Sequence, residues 1–165
     1  MLLVGLMATG KSTVGRLVAT VTGWPYLDND VLLQQREGRP AAQLLAEDGL
    51  DALRRAESAV LGQLVTTPGP LVAGVPAGTV LDAADRDRLR TGGHVVWLRA
   101  APATLAGRAA AQDPRAWLDR DPEQVLRAMA EQRDPLYAEV ATQVLDMDAL
   151  APEQAVAQVV AALRS

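Results

Sequence analysis

The sequence predicts an α/β fold, a central parallel sheet of about five strands with helices on both faces. Three observations predict it. Short apolar runs such as Leu2-Leu3-Val4, Leu71-Val72-Ala73 and His94-Val95-Val96-Trp97-Leu98 read as buried strands. Stripes of helical period separate them, so each crossover is a right-handed βαβ unit and the strands run parallel. The third observation joins the first strand to the first helix: Gly5-Leu6-Met7-Ala8-Thr9-Gly10-Lys11-Ser12 fits the phosphate-binding pattern G-x-x-x-x-G-K-[ST].

The phosphate loop has a physical logic. Glycines let the chain curl so that the N–H groups of Ala8, Thr9, Gly10, Lys11, Ser12 and Thr13 point at phosphate oxygens. The helix that follows adds its positive end. Lys11 supplies a mobile point charge and is the only lysine in the chain. The Ser12 hydroxyl is a hard oxygen suited to Mg²⁺. Val14, Leu17, Val18 and Val21 repeat at i, i+3, i+4, i+7 and give the helix its apolar stripe. Strand, glycine loop and helix are the context the motif requires.

Composition bounds the rest. At 165 residues, with 49% hydrophobic and 22% charged residues, the chain reads as one globular domain spanning residues 1–165. A formal net charge of −4 with no basic run argues against a nucleic-acid surface. The chain contains no cysteine, which excludes disulfides, thiol catalysis and cysteine zinc sites. No run approaches the ~20 apolar residues of a membrane span. The N-terminal apolar stretch is too short for a signal peptide, so a cytoplasmic monomer is the expectation.

After the first helix, Gly23-Trp24-Pro25 breaks the periodicity and Tyr26-Leu27 forms a short strand. It ends in Asp28-Asn29-Asp30, whose two carboxylates share one side. They read either as caps of a helix starting at Val31 or as groups that hold metal and accept a proton. Residues 31–66 are helical, with breaks near Gly38-Arg39-Pro40 and Gly49. Leu50, Leu53, Glu57, Val60, Leu61 and Leu64 make one stripe, with Arg54 at its edge. Arg54 is open to two readings, a solvated face or a site residue.

Gly74-Val75-Pro76-Ala77-Gly78 follows the third strand as an unusual loop, and a helix covers Leu81 to Leu89. His94, the only histidine, is expected to be structural at its strand's start. Pro102 starts a helix reaching Arg108. Residues 112–122 interrupt the pattern with charge, two prolines and Trp117, and read as a surface loop or as a lid. Val125, Met129, Gln132 and Leu136 mark another helix, Val144-Leu145-Asp146 a last strand, and Val156 to Leu163 a final amphipathic helix.

Together these residues resemble the shikimate kinase family over nearly the whole chain. The likeness rests on the phosphate loop, Asp28-Asn29-Asp30, Leu53-Arg54-Arg55-Ala56-Glu57, Arg115-Ala116-Trp117-Leu118 and Arg133-Asp134-Pro135-Leu136-Tyr137. It implies the P-loop kinase fold, ATP and Mg²⁺ as cofactors, and phosphorylation of a hydroxyl on a small carboxylated acceptor, shikimate foremost. By the same resemblance Lys11 and Arg115 stabilise the phosphoryl group in transfer, and Arg108 lies against adenine. Ser12 binds Mg²⁺ with help from Asp28. Asp30 holds the accepting hydroxyl and takes its proton, while Arg54 and Arg133 clamp a carboxylate. Residues 31–62 form the acceptor-binding segment, lined further by Ala77 and Gly78, and residues 112–122 the lid.

Two departures carry expectations of their own. The family has glycine where this chain has Ala8, which is tolerable if the backbone there keeps φ below zero. Pro76-Ala77-Gly78 stands in place of three glycines, and Pro76 has no N–H to donate. A related kinase acting on another hydroxylated metabolite is the nearest alternative. A regulator that binds nucleotide without turnover is the other, although it would have no need of Lys11, Ser12, Asp30 and Arg115 together.

Overall fold

The computed structural model describes residues 1–112 and 121–164. In chain order the elements are β1 (Leu2–Val4), α1 (Lys11–Thr22), β2 (Tyr26–Leu27), α2 (Asn29–Glu37), α3 (Ala41–Thr66) and β3 (Val72–Gly74). A 3₁₀ turn (Thr79–Leu81) leads into α4 (Ala83–Thr91), β4 (Val95–Arg99), α5 (Pro102–Gln112), α6 (Pro122–Val140), β5 (Gln143–Asp146) and α7 (Pro152–Leu163). The five strands form one sheet in the order β2-β3-β1-β4-β5, every described pairing being parallel.

Alternation along the strands divides the core into two layers. Leu2, Val4, Ala73, Val95 and Trp97 face the layer that buries Leu61, Leu64, Leu105, Leu126 and Tyr137. Leu3, Val72, Val96 and Leu98 face the other layer, against Val14 and Val18 of α1 and Val156 and Val159 of α7. A central parallel strand buried on both sides must be apolar at every position, as Leu2-Leu3-Val4 is. Truncating Leu3, which is 0% exposed, to alanine would cost about 2–5 kcal/mol. β1 lies between β3 and β4, so consecutive crossovers leave it in opposite directions. That switch point opens a crevice at the strands' carboxyl ends, where the phosphate loop begins.

Several boundaries move from their sequence-based positions. α2 starts at Asn29 rather than Val31, because Asp28 is the cap and its side chain accepts the Asp30 N–H. β3 extends into Gly74, and α4 begins at Ala83, after the 3₁₀ turn. The break at Gly49 is real: its φ of 83° and ψ of 179° leave the helix inside α3. That kink rotates Leu50 out of the expected stripe, and it is 54% exposed. Val21, near the end of α1, is also exposed. His94 is structural, its ring nitrogens meeting Gln143 at 2.9 Å and Thr142 at 3.1 Å. Among the described residues no helix is long and apolar enough to cross a membrane.

Candidate active site

The phosphate loop leaves β1 through Gly5, with φ 141°, where a Cβ would press 2.5 Å from the Leu98 carbonyl of β4. Only glycine permits that approach. Gly10 precedes α1 in the left-handed region, and no side chain caps the helix. The first N–H groups of α1 thus remain available to an anion. Inside the loop the Thr9 hydroxyl donates to the Leu6 carbonyl at 2.8 Å. Ala8 does not meet the condition of a negative φ, and adopts 61°. The curl of the loop imposes this, and alanine meets it at the cost of left-handed strain. The Lys11 ammonium donates to the carbonyls of Gly5 at 2.8 Å and Leu6 at 2.9 Å. Burial lowers its pKa to about 8, against the opposing pull of Asp30.

At the end of β2, one short segment does two jobs. Asp28 caps α2 through Oδ1 at 3.0 Å from the Asp30 N–H, and its Oδ2 faces Arg16 at 3.5 Å. The cap fixes Asp30 in the first helical turn with its carboxylate on the cleft, where it accepts from the Asn29 amide at 2.9 Å. Partial loss of water raises the Asp30 pKa, and the neighbouring Asp28 charge adds to the rise. Of the two readings of this pair, the structure shows the cap, which is also what positions the second carboxylate.

Beside the phosphate loop, α3, α6 and the loop after β3 bring together a second group of residues. Arg54 and Glu57 stand one turn apart on α3 and pair at 2.5 Å. Burial pushes the Glu57 carboxyl upward in pKa, while Arg54 and Arg133 pull it down. Arg133 on α6 is only 7% exposed. One of its terminal nitrogens donates to the Ala77 carbonyl at 3.4 Å, and its Nε has no partner among the described residues. The Tyr137 hydroxyl donates to the same carbonyl at 2.7 Å, one helical turn beyond Arg133. Gly78 lies under Arg54, and a Cβ there would overlap the guanidinium.

A cleft of about 360 Å³ joins Ala8, Thr9, Gly10, Lys11, Ser12 and Thr13 to Asp30, Glu57, Pro76 and Ala77. Arg54 and Gly78 line a larger groove, about 890 Å³, that also shares Glu57. Arg108 stands apart on α5, donating to the Met147 carbonyl at 3.1 Å. Arg115 and most of the expected lid lie outside the described residues. Glu57 and Asn29 line the cleft, and Tyr137 holds the loop beside it, although sequence reasoning assigned them no role. Tyr137 had a visible signal, since it closes the Arg133–Tyr137 motif.

Among the described residues no group of three His, Cys, Asp or Glu side chains gathers into a metal site. A cation at the loop would draw on the Ser12 hydroxyl, on Asp28 and on oxygens brought by a nucleotide and water. Sparse, all-oxygen protein ligation of that kind fits Mg²⁺.

The family model described as shikimate kinase matches residues 7–164, nearly the whole of the chain. This chain belongs to the shikimate kinase family. A shikimate kinase from Symbiobacterium thermophilum is 37% identical over 165 residues, 98% of this chain and 94% of its own length. One from Thiobacillus denitrificans is 39% identical over 145 residues, covering 87% and 79%. Among solved structures, a shikimate kinase from Acinetobacter baumannii in complex with shikimate superposes with a TM-score of 0.89. It is 30% identical, and the match covers 98% of this chain and 90% of that one. Membership in the shikimate kinase family makes the protein an ATP-dependent small-molecule kinase.

Proposed function

We propose that this kinase transfers the γ-phosphoryl group of ATP to the 3-hydroxyl of shikimate, with Mg²⁺ bound at Ser12 and, through water, at Asp28. The observation that carries the acceptor assignment is Arg133. A residue only 7% exposed whose guanidinium Nε has no partner among the described residues is costly unless an anion completes its bonding. Arg54 brings a second guanidinium to the same side, and planar forks of this kind suit a carboxylate. A related kinase solved in complex with shikimate supports the same choice.

In the transfer, the acceptor oxygen forms a bond to the γ-phosphorus as the bond to the bridging β–γ oxygen breaks. The proton of the acceptor hydroxyl passes to Asp30, whose raised pKa makes it a better base than an ordinary carboxylate. Lys11 leaves its carbonyl partners to neutralise charge on the phosphates, and Arg115 joins it from the lid. Mg²⁺ held by Ser12 and, through water, by Asp28 would supply charge neutralisation to the phosphates. Arg108 lies against adenine, and Ala77 and Gly78 bound the acceptor pocket. The enzyme works as a cytoplasmic monomer in this reading, and sedimentation checks its size.

A coupled assay for ADP release tests the proposal. Shikimate should raise the rate well above the ATP-only background, and Asp30→Asn should remove most of the increase. A rate indifferent to shikimate but raised by a neutral polyol would sink the carboxylate assignment.

A further inference from the structure

The half of α3 that carries Arg54 and Glu57 is oriented by contacts outside its own helix. The backbone leaves helical geometry at Gly49, so the stretch from Leu50 to Thr66 does not inherit its rotation from the turns before it. Its apolar side buries Leu53, Ala56, Val60, Leu61 and Leu64. That burial selects the face turned to the core, but it is non-directional and sets the rotation of the helix only loosely. On the polar side a directional contact reaches α4. The Ser58 hydroxyl donates to Asp85 Oδ1 at 2.8 Å.

The α4 end of this contact is firmly fixed. Asp85 is 2% exposed although it carries a carboxyl group. Its N–H donates at 3.0 Å to Asp82, the residue that caps α4. The Arg88 guanidinium, one turn on, donates to Asp85 Oδ1 at 2.7 Å and to Ser58 Oγ at 3.0 Å. A buried carboxylate is tolerated only with such partners, and the first turn of a helix suits its charge. α4 thus presents a fixed acceptor, and α3 meets it through a serine hydroxyl.

The place of that serine gives the contact its reach. Ser58 follows Glu57 directly and lies one turn beyond Arg54 on the same side of α3. All three line the groove of about 890 Å³ that Gly78 and Asp85 also line. An arginine head stands far from its helix axis, so a rotation of about 10° moves it by roughly 1 Å. A displacement of that size is enough to spoil the positioning of a bound substrate.

We propose that Ser58 and Asp85 are positioning residues for the acceptor, their hydrogen bond setting the rotation of α3 that aims Arg54. The proposal rests on the reading that Arg54 clamps the carboxylate of shikimate. Both residues act through the helix and Arg54, not by contact with the acceptor.

The test is steady-state kinetics, followed by ADP release, on wild type, Ser58→Ala, Arg54→Ala and the double variant. Ser58→Ala removes the hydrogen bond and leaves the Asp85–Arg88 pair in place. The shikimate KM should rise roughly three- to tenfold, the scale of one hydrogen bond. The KM for ATP and kcat should stay within about twofold of wild type. In the Arg54→Ala background, Ser58→Ala should add nothing further. A lower melting temperature with an unchanged shikimate KM would show a merely structural role and overturn the proposal. So would equal rises in both KM values, or a rise that persists undiminished once Arg54 is alanine. If the wild type does not turn shikimate over, or Arg54→Ala leaves the shikimate KM unchanged, the clamp reading fails and takes this inference with it.

Discussion

Gly78 and Arg54 occupy adjoining space so closely that the guanidinium lies where a side chain at residue 78 would begin. Gly78 has an ordinary φ of −88°, so the backbone does not demand glycine there. The demand comes from Arg54, which crosses over it to pair with Glu57. Gly78→Ala should therefore act on the acceptor rather than on the fold. The obstructing atoms end a flexible side chain, so melting temperature should barely change. Displacing Arg54 should lower kcat/KM for shikimate by about a hundredfold, the loss of a charge-assisted pair. ADP affinity should be unaffected. A variant with normal shikimate kinetics would mean that Arg54 has another route to its position.

Lys11 predicts a proton uptake. Its pKa of about 8 is set by burial against the Gly5 and Leu6 carbonyls. Nucleotide phosphates favour the charged ammonium, so binding must raise that pKa. Above pH 8 the free enzyme has lost the proton and binding must recover it. ADP affinity should fall as pH rises through 8 to 9.5, and calorimetry in buffers of different ionisation enthalpy should register uptake. Lys11→Gln should abolish the uptake along with most of the affinity. No buffer dependence at pH 9 would contradict the lowered pKa.

The sheet, the phosphate loop and the cap at Asp28 were legible because each has a local signature: apolar runs, glycine spacing, a carboxylate before a helix. What was not legible came from contacts between distant segments. The resemblance put Gly78 on the acceptor pocket, but that Arg54, from another helix, fills the space beside it could not be read from the loop's own residues. Tyr26 drew no notice beyond a strand position, because its fit against Gly15 exists only once β2 and α1 are packed together. Leu50 left its stripe because one glycine, Gly49, broke the phase of a helix whose period was otherwise clear. The acceptor arginines were visible as a motif, but the burial of Arg133 could not be read from residues 133–137 alone.

Ala8 offers a stability test. At φ 61° it sits where alanine is strained by about 1 kcal/mol relative to glycine. Ala8→Gly should raise the free energy of unfolding by somewhat less than that, since glycine also adds freedom to the unfolded chain. Urea denaturation measures it directly. A destabilised variant would show that the methyl packs well enough to offset its backbone strain.

The loop after β3 makes the sharpest prediction about the acceptor. Its conformation is held from outside: the Ala77 carbonyl receives Tyr137 and Arg133, Pro76 O receives the Thr79 N–H at 3.1 Å, and Val75 N–H reaches the Leu3 carbonyl at 2.9 Å. These bonds use two of the loop's carbonyls and the Val75 donor, and leave the N–H groups of Ala77 and Gly78 as the means of meeting an acceptor hydroxyl. Pro76 has no donor to give. Pro76→Gly should restore one, and Ala77→Gly should remove a methyl from the cleft wall. One recovered hydrogen bond is worth on the order of 1 kcal/mol, so the shikimate KM should fall about five- to tenfold in the double variant. Glycine also loosens the loop, and the tether from α6 is what should keep it in place. Tyr137→Phe cuts that tether at the cost of about 1 kcal/mol and should cancel the gain when added to the double variant. ADP affinity should stay constant throughout, since no phosphate-loop contact is touched. If the double variant binds shikimate no better than the wild type, the missing donor at residue 76 does not limit acceptor binding, and the arginine pair alone sets it.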